Sequence, residues 1–77
     1  MTLHITIKLF ATLSRFTPDF PDRYPIESGT TIRKLLKQIG VSEDEIKLIF
    51  INGVKGSLAS PLHDGDRVGI FPPVGGG

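Results

Sequence analysis

Apolar and polar residues alternate along the first ten positions of the chain. The apolar members of this alternation are Leu3, Ile5, Ile7 and Leu9. A period of two that is rich in β-branched residues predicts a half-buried β-strand. Phe10 follows with the parity of the polar residues, so we expect an exposed aromatic side chain where this strand ends.

A second pattern has the spacing of a helix. Apolar side chains recur at i, i+3, i+4 and i+7 as Ile32, Leu35, Leu36 and Ile39. This spacing places them on one face of an amphipathic helix. Thr31 is the expected N-cap, and Gly40 is the expected residue at which the helix stops. The basic side chains Arg33, Lys34 and Lys37 lie off the apolar stripe, and we expect them to face solvent.

Three further segments have strand character. Residues 24–27 suit a short edge strand, because Pro25 lacks a backbone donor. Residues 47–51 are densely apolar and suit a central strand, and the Asn52-Gly53 pair behind them is a strong hairpin signal. Residues 67–71 suit a last strand. The predicted order is strand, strand, helix, strand, turn, strand, which favours an α+β fold with one sheet packed on one main helix.

The apolar faces of these elements define a predicted core between helix and sheet. Its members are Ile5, Ile7, Ile32, Leu35, Ile39, Ile49, Ile51 and Val68. By the same pattern, the phenylalanines other than Phe10 are further core candidates: Phe16, Phe20, Phe50 and Phe71. With 77 residues, the chain is expected to form a single domain over residues 1–77. A conventional enzyme pocket has a volume of roughly 300–1,000 Å³. A pocket of that size would take up much of the interior of so small a domain. Size therefore favours a module that presents a surface or a tail over an enzyme.

Composition removes several functional classes. Nine Lys and Arg residues oppose eight Asp and Glu, which gives a formal charge of +1. A chain with this net charge lacks the positive electrostatic field that nucleic-acid-binding proteins use to attract phosphates. The absence of cysteine excludes a disulfide scaffold, a Cys-ligated zinc site and a cysteine nucleophile. No apolar run approaches a membrane span, and no signal peptide is visible, so we expect a cytoplasmic protein without a membrane partner.

Titratable residues form no recognisable constellation. His4 and His63 lie on separate elements without metal-ligand spacing, and two surface histidines are the expected interpretation. Asp64 and Asp66 flank a glycine, as turn-forming residues do. We therefore expect no metal site and no permanently bound cofactor.

The glycine-rich tail is the most informative segment. Gly75, Gly76 and Gly77 follow Pro72-Pro73 and Val74 directly after a predicted strand. At average glycine usage such a triplet arises by chance about 3 times in 10,000. Glycine is costly to order, so residues 75–77 are expected to form a flexible tail. The tail is thin enough to thread a narrow channel, and its terminal carboxylate suits activation by another protein.

Several stretches together resemble a known family. They are residues 8–13 (KLFATL), 29–36 (GTTIRKLL), 51–53 (ING), 62–68 (LHDGDRV) and 70–77 (IFPPVGGG). In order and spacing they resemble the MoaD/ThiS family of sulfur carriers, which has the ubiquitin-like β-grasp fold. Within this family, the segment Pro72-Pro73-Val74 looks most like the corresponding segment of the small subunit of molybdopterin synthase.

The resemblance implies a carrier rather than an enzyme. Gly77 would be adenylated by an ATP-using enzyme of the ubiquitin-activating type and converted to a thiocarboxylate with sulfur from a donor. Gly75 and Gly76 would thread the partner's active site. Phe10, Phe71, Pro72, Pro73 and Val74 would form the partner-binding surface around the tail. The partner receiving the sulfur would be the large subunit of molybdopterin synthase, in molybdenum cofactor biosynthesis.

Three alternatives stay open at the level of sequence. The same chemistry can serve a thiazole synthase in thiamine formation, or another sulfur acceptor. A protein modifier would be joined through Gly77 to lysines of its targets. A non-covalent interaction module would use the folded surface alone. Thiocarboxylate formation, isopeptide adducts and the effect of deleting the tail distinguish these classes.

Overall fold

The computed structural model describes residues 1–73 of the chain, in which a mixed five-stranded sheet packs on one α-helix. The strands are β1 (Thr2–Leu9), β2 (Tyr24–Glu27), β3 (Leu48–Ile51), β4 (Val54–Lys55) and β5 (Arg67–Phe71), and the helix is α1 (Ile32–Ile39). The strand order is β2-β1-β5-β3-β4. Strands β1 and β5 are parallel, and the other neighbours are antiparallel. Short 3-10 helices span Ala11–Phe16, Pro21–Arg23 and Glu43–Glu45.

The helix begins and ends where its sequence predicts. The Lys34 amide donates to the Thr31 hydroxyl oxygen at 3.4 Å, which caps the first turn. Gly40 has φ +84°, a left-handed conformation that glycine adopts without steric cost. The apolar stripe of α1 packs against the sheet, with Ile32, Leu35 and Leu36 almost wholly buried.

The predicted core is confirmed for six of its eight residues. Ile5, Ile7, Ile32, Leu35, Ile49 and Val68 are buried. Ile39 and Ile51 are only partly buried, so their assignment to the closed core was wrong. Each is the last residue of its element, Ile39 in α1 and Ile51 in β3, where packing is incomplete on one side.

The pairing of β1, β5 and β3 divides the sheet into two faces. On the helix-covered face, Ile7 pairs with Val68 and Leu9 pairs with Ile70. On the opposite face, here called the open face, Lys8 pairs with Gly69 and Phe50 pairs with the same glycine from the other side. Side chains alternate between the two faces along each strand.

The Asn52-Gly53 hairpin is confirmed. Both residues have positive φ, +54° and +81°, as a type I′ turn requires. The turn returns into β4, a strand of two residues that the predicted order lacked. Strand β3 lies inside the sheet between β5 and β4, whereas the middle position belongs to β5.

Candidate functional site

Three phenylalanines meet on the open face of the sheet. The rings of Phe10 and Phe71 stack with centroids 4.2 Å apart and planes 1° from parallel. Phe50 approaches Phe71 edge-on, with a centroid distance of 5.8 Å and an interplanar angle of 88°. Phe10 is 38% exposed, and the other two rings are half-buried. We call these three side chains the aromatic patch.

Local backbone structure holds Phe10 in this position. Its amide donates to the Ile70 carbonyl at 3.1 Å, which extends the ladder between β1 and β5 by one residue. A Cβ atom on Gly69 would lie 3.5 Å from the Phe10 ring, so the glycine leaves the strand surface open beneath it. Ala11 then takes a φ of +52°, and the chain turns into a 3-10 helix.

The aromatic patch adjoins the base of the tail. Phe10 and Phe71 share a cleft of about 350 Å³ with Leu48, Pro72 and Pro73. The Lys47 amide donates to the Phe71 carbonyl at 2.8 Å, which ties the end of β5 to the start of β3. A protein that binds the chain at Pro72 and Pro73 would therefore also contact the rings of Phe10 and Phe71.

Four of the five residues predicted for partner binding thus lie together: Phe10, Phe71, Pro72 and Pro73. The fifth, Val74, and the predicted flexible tail Gly75, Gly76 and Gly77 lie outside the described residues. The structure places the four side chains on one surface, and their role in binding stays a prediction.

On its other side, the patch borders a groove of about 310 Å³ along the open face, here called the open-face groove. Its floor is Gly69, and the aromatic patch lines one end. Lys8 and Arg67, both exposed, contribute the charged side chains of the lining. The groove is therefore apolar at its centre and cationic at its margin.

Sequence reasoning placed two phenylalanines wrongly. Phe50 was expected in the core, but it shares the open face with Leu48 because Ile49 and Ile51 take the covered face. Phe20 was also a core candidate, yet it is 79% exposed. It caps the 3-10 helix at Pro21–Arg23 with a φ of +55° in the loop before β2. For Phe50 no sequence signal was available, because every residue of β3 is apolar and no alternation marks its two faces.

The turn at residues 63–66 has a structural role, as expected. The Asp66 carboxylate accepts from Asn52 Nδ2 at 2.9 Å and from the His63 amide at 2.8 Å. Asp64 accepts from the His4 amide at 2.9 Å.

Within residues 1–73, no cluster of three or more potential metal-ligating side chains is present. None of the helices in that range is long and apolar enough to cross a membrane.

Comparison with solved structures confirms the β-grasp fold. The Haloferax volcanii HVO 2177 protein superimposes with a TM-score of 0.76 at 24% identity, covering 99% of this chain and 88% of the other. Small archaeal modifier protein 1 of H. volcanii gives 0.68 at 22% identity, with 94% and 99% covered. Both are ubiquitin-like folds of similar length.

A third solved structure is more similar in sequence. A Pyrococcus furiosus protein that carries the name putative molybdopterin converting factor, subunit 1, is 28% identical, with a TM-score of 0.67 over 94% of this chain and 99% of that protein. No curated protein sequence matches significantly. The model of the ThiS family matches residues 7–77, from the middle of β1 through the glycine tail. The chain therefore belongs to the ThiS family of small ubiquitin-like sulfur carriers.

Proposed function

We propose that the protein carries sulfur as a thiocarboxylate on Gly77. The observation that supports this most directly is the match to the ThiS family, because it runs through the terminal glycines as well as the fold. The position of the aromatic patch beside Pro72 and Pro73 adds support, since a partner that binds the tail would contact this apolar surface as well. The protein itself acts as a co-substrate of other enzymes.

The chemistry takes place on the partner. In the adenylating enzyme, a carboxylate oxygen of Gly77 attacks the α-phosphorus of ATP and pyrophosphate leaves, which forms an acyl adenylate. A hydrosulfide ion supplied by the sulfur donor then attacks the acyl carbon, AMP leaves with the electron pair of the broken C–O bond, and loss of the sulfur-bound proton leaves the thiocarboxylate. Glycine suits this step because no side chain crowds the carbon under attack. ATP is bound by the partner, and this chain needs no resident cofactor.

For the acceptor, we propose the large subunit of molybdopterin synthase. The 28% identity to a P. furiosus protein assigned to molybdopterin conversion favours this branch. The tail would enter the large subunit's active site and deliver its sulfur there. A thiazole synthase is the alternative acceptor within the same chemistry.

Mass spectrometry tests the proposal directly. Incubation with the cognate adenylating enzyme, ATP and a sulfur source is expected to replace one oxygen atom of the protein by sulfur. The mass gain is expected to map to the C-terminal peptide and to vanish without ATP. Adding each candidate synthase to the thiocarboxylated protein then shows which one discharges it. Isopeptide adducts on lysines without any thiocarboxylate would identify a protein modifier instead.

The aromatic patch gives a second prediction. Phe10→Ala is expected to weaken binding to the adenylating enzyme at least tenfold, because a central aromatic anchor contributes about 2 kcal/mol or more to an interface. Isothermal titration calorimetry measures the effect, and a thermal melt checks the fold. Phe20→Ala is the matched control, since this ring is 79% exposed and lies outside the patch. Equal affinities for the two variants would exclude the patch from the interface.

A further inference from the structure

Charge is distributed unevenly over the sheet. Strand register places Thr6 beside Arg67 and Lys8 beside Gly69, so both cationic side chains project from the open face. Both are exposed and line the open-face groove, and no carboxylate is among its lining residues. By register, Glu27 also belongs to this face, but it lies on the outer strand β2, paired with Thr2 at the far end of β1.

Two other arginines of the described chain have carboxylate partners, whereas Arg23, in the loop before β2, has none. Arg15 lies 3.4 Å from Glu45, and Arg33 lies 3.2 Å from Glu43. Among residues 1–73, neither Lys8 nor Arg67 lies within ion-pair distance of a carboxylate. The two cations beside the groove therefore keep their charge available to a partner, whereas Arg15 and Arg33 already have intramolecular counterions.

We propose that the open-face groove docks an acidic protein surface, with apolar side chains on the aromatic patch and carboxylates facing Lys8 and Arg67. This inference rests on the proposed function, and it gives the chemistry of the surface that the adenylating enzyme presents. Complementary charge at an interface mainly accelerates association and selects the partner, while the apolar centre holds the complex. The two cations thus determine which protein receives the tail.

Two other occupants fit the groove less well. A second copy of the chain in a symmetric contact would bring Lys8 and Arg67 against the same cations, which is repulsive. A single-stranded nucleic acid needs aromatic faces free for base stacking and a longer basic track. Here Phe10 and Phe71 stack on each other, and two cations flank the groove.

Charge reversal tests the proposal. We expect the Lys8→Glu, Arg67→Glu double variant to associate with the adenylating enzyme at least tenfold more slowly at low ionic strength, measured by stopped-flow fluorescence. The rate of the unmodified protein should fall as salt is added, because salt screens the attraction, and the double variant should lose this dependence. Lys37→Glu, an exposed change on α1, controls for charge reversal away from the groove.

The readouts separate this inference from the function on which it rests. If the unmodified protein binds the enzyme but forms no thiocarboxylate, the proposed function fails and the rate comparison still decides the docking surface. Similar rates and salt dependence for the double variant and Lys37→Glu would overturn the docking proposal, as would absence of binding by the unmodified protein. Charge-dependent dimerisation, or saturable binding of a single-stranded oligonucleotide lost in the double variant, would assign the groove to one of the other occupants. Thermal melts confirm that each variant is folded.

Discussion

Deletion of Gly77 is expected to abolish thiocarboxylate formation while leaving binding to the adenylating enzyme largely intact. The shortened tail would hold its carboxylate up to roughly 3.5 Å short of the reacting position. Displacement on this scale removes the near-attack geometry on which an intramolecular-like reaction depends. The mass of the C-terminal peptide after incubation with enzyme, ATP and a sulfur source measures the loss.

Two comparisons make the Gly77 result specific. One residue appended after Gly77 is also expected to abolish the product. The terminal carboxylate then belongs to the added residue, and its acyl carbon would lie beyond the reacting position. Affinity for the enzyme should stay close to that of the unmodified protein in both variants, since Phe10 and Phe71 are untouched. Thiocarboxylate formation at the normal rate by the deletion variant would refute the proposed mechanism.

The longest periodic segments were the ones that sequence predicted well. Strand β1 carries four repeats of its period and helix α1 about two turns, and Thr31 and Gly40 add local signals at the two ends of α1. Strand β4 has two residues, too few for any period to show. The 3-10 helix at Ala11–Phe16 was also missed, because it starts at an alanine with positive φ, which residue type does not indicate.

The candidate site was predicted only in part. The parity of Phe10 revealed an aromatic side chain off the core face of β1, and the exposure of that ring follows from it. The densely apolar strand around Phe50 has no polar alternation, so its open-face side was hidden until the register with β5 was known. Pairing across distant segments then determines which side chains become neighbours.

The cations of the groove illustrate the same limit. Lys8 and Arg67 stand near opposite ends of the sequence, and they come to one face because β1 and β5 pair in parallel. A parallel pair needs a long crossover connection, and no local turn signal records its register. Sequence alone showed two ordinary basic residues, whereas the fold places both beside one apolar groove.

The stability of this scaffold depends on a few fully buried side chains, of which Leu35 is one. Its relative exposure is 0%, and it lies in the middle of α1 against the sheet. Leu35→Ala is expected to reduce the free energy of unfolding by roughly 2–5 kcal/mol, because the cavity left behind adds to the lost transfer energy. Small domains of this kind have about 5–15 kcal/mol in total, so a large share of the population can unfold.

Ile39→Ala provides the matched comparison for Leu35→Ala within the same helix. Ile39 is only partly buried, so its truncation leaves a smaller cavity and is expected to cost clearly less. Urea unfolding followed by circular dichroism measures both free energies. Alanine raises helix propensity in both variants, and more when it replaces Ile39 than Leu35, which further lowers the expected cost at Ile39. Equal losses would contradict the deeper burial of Leu35, because the fully buried side chain should leave the larger cavity.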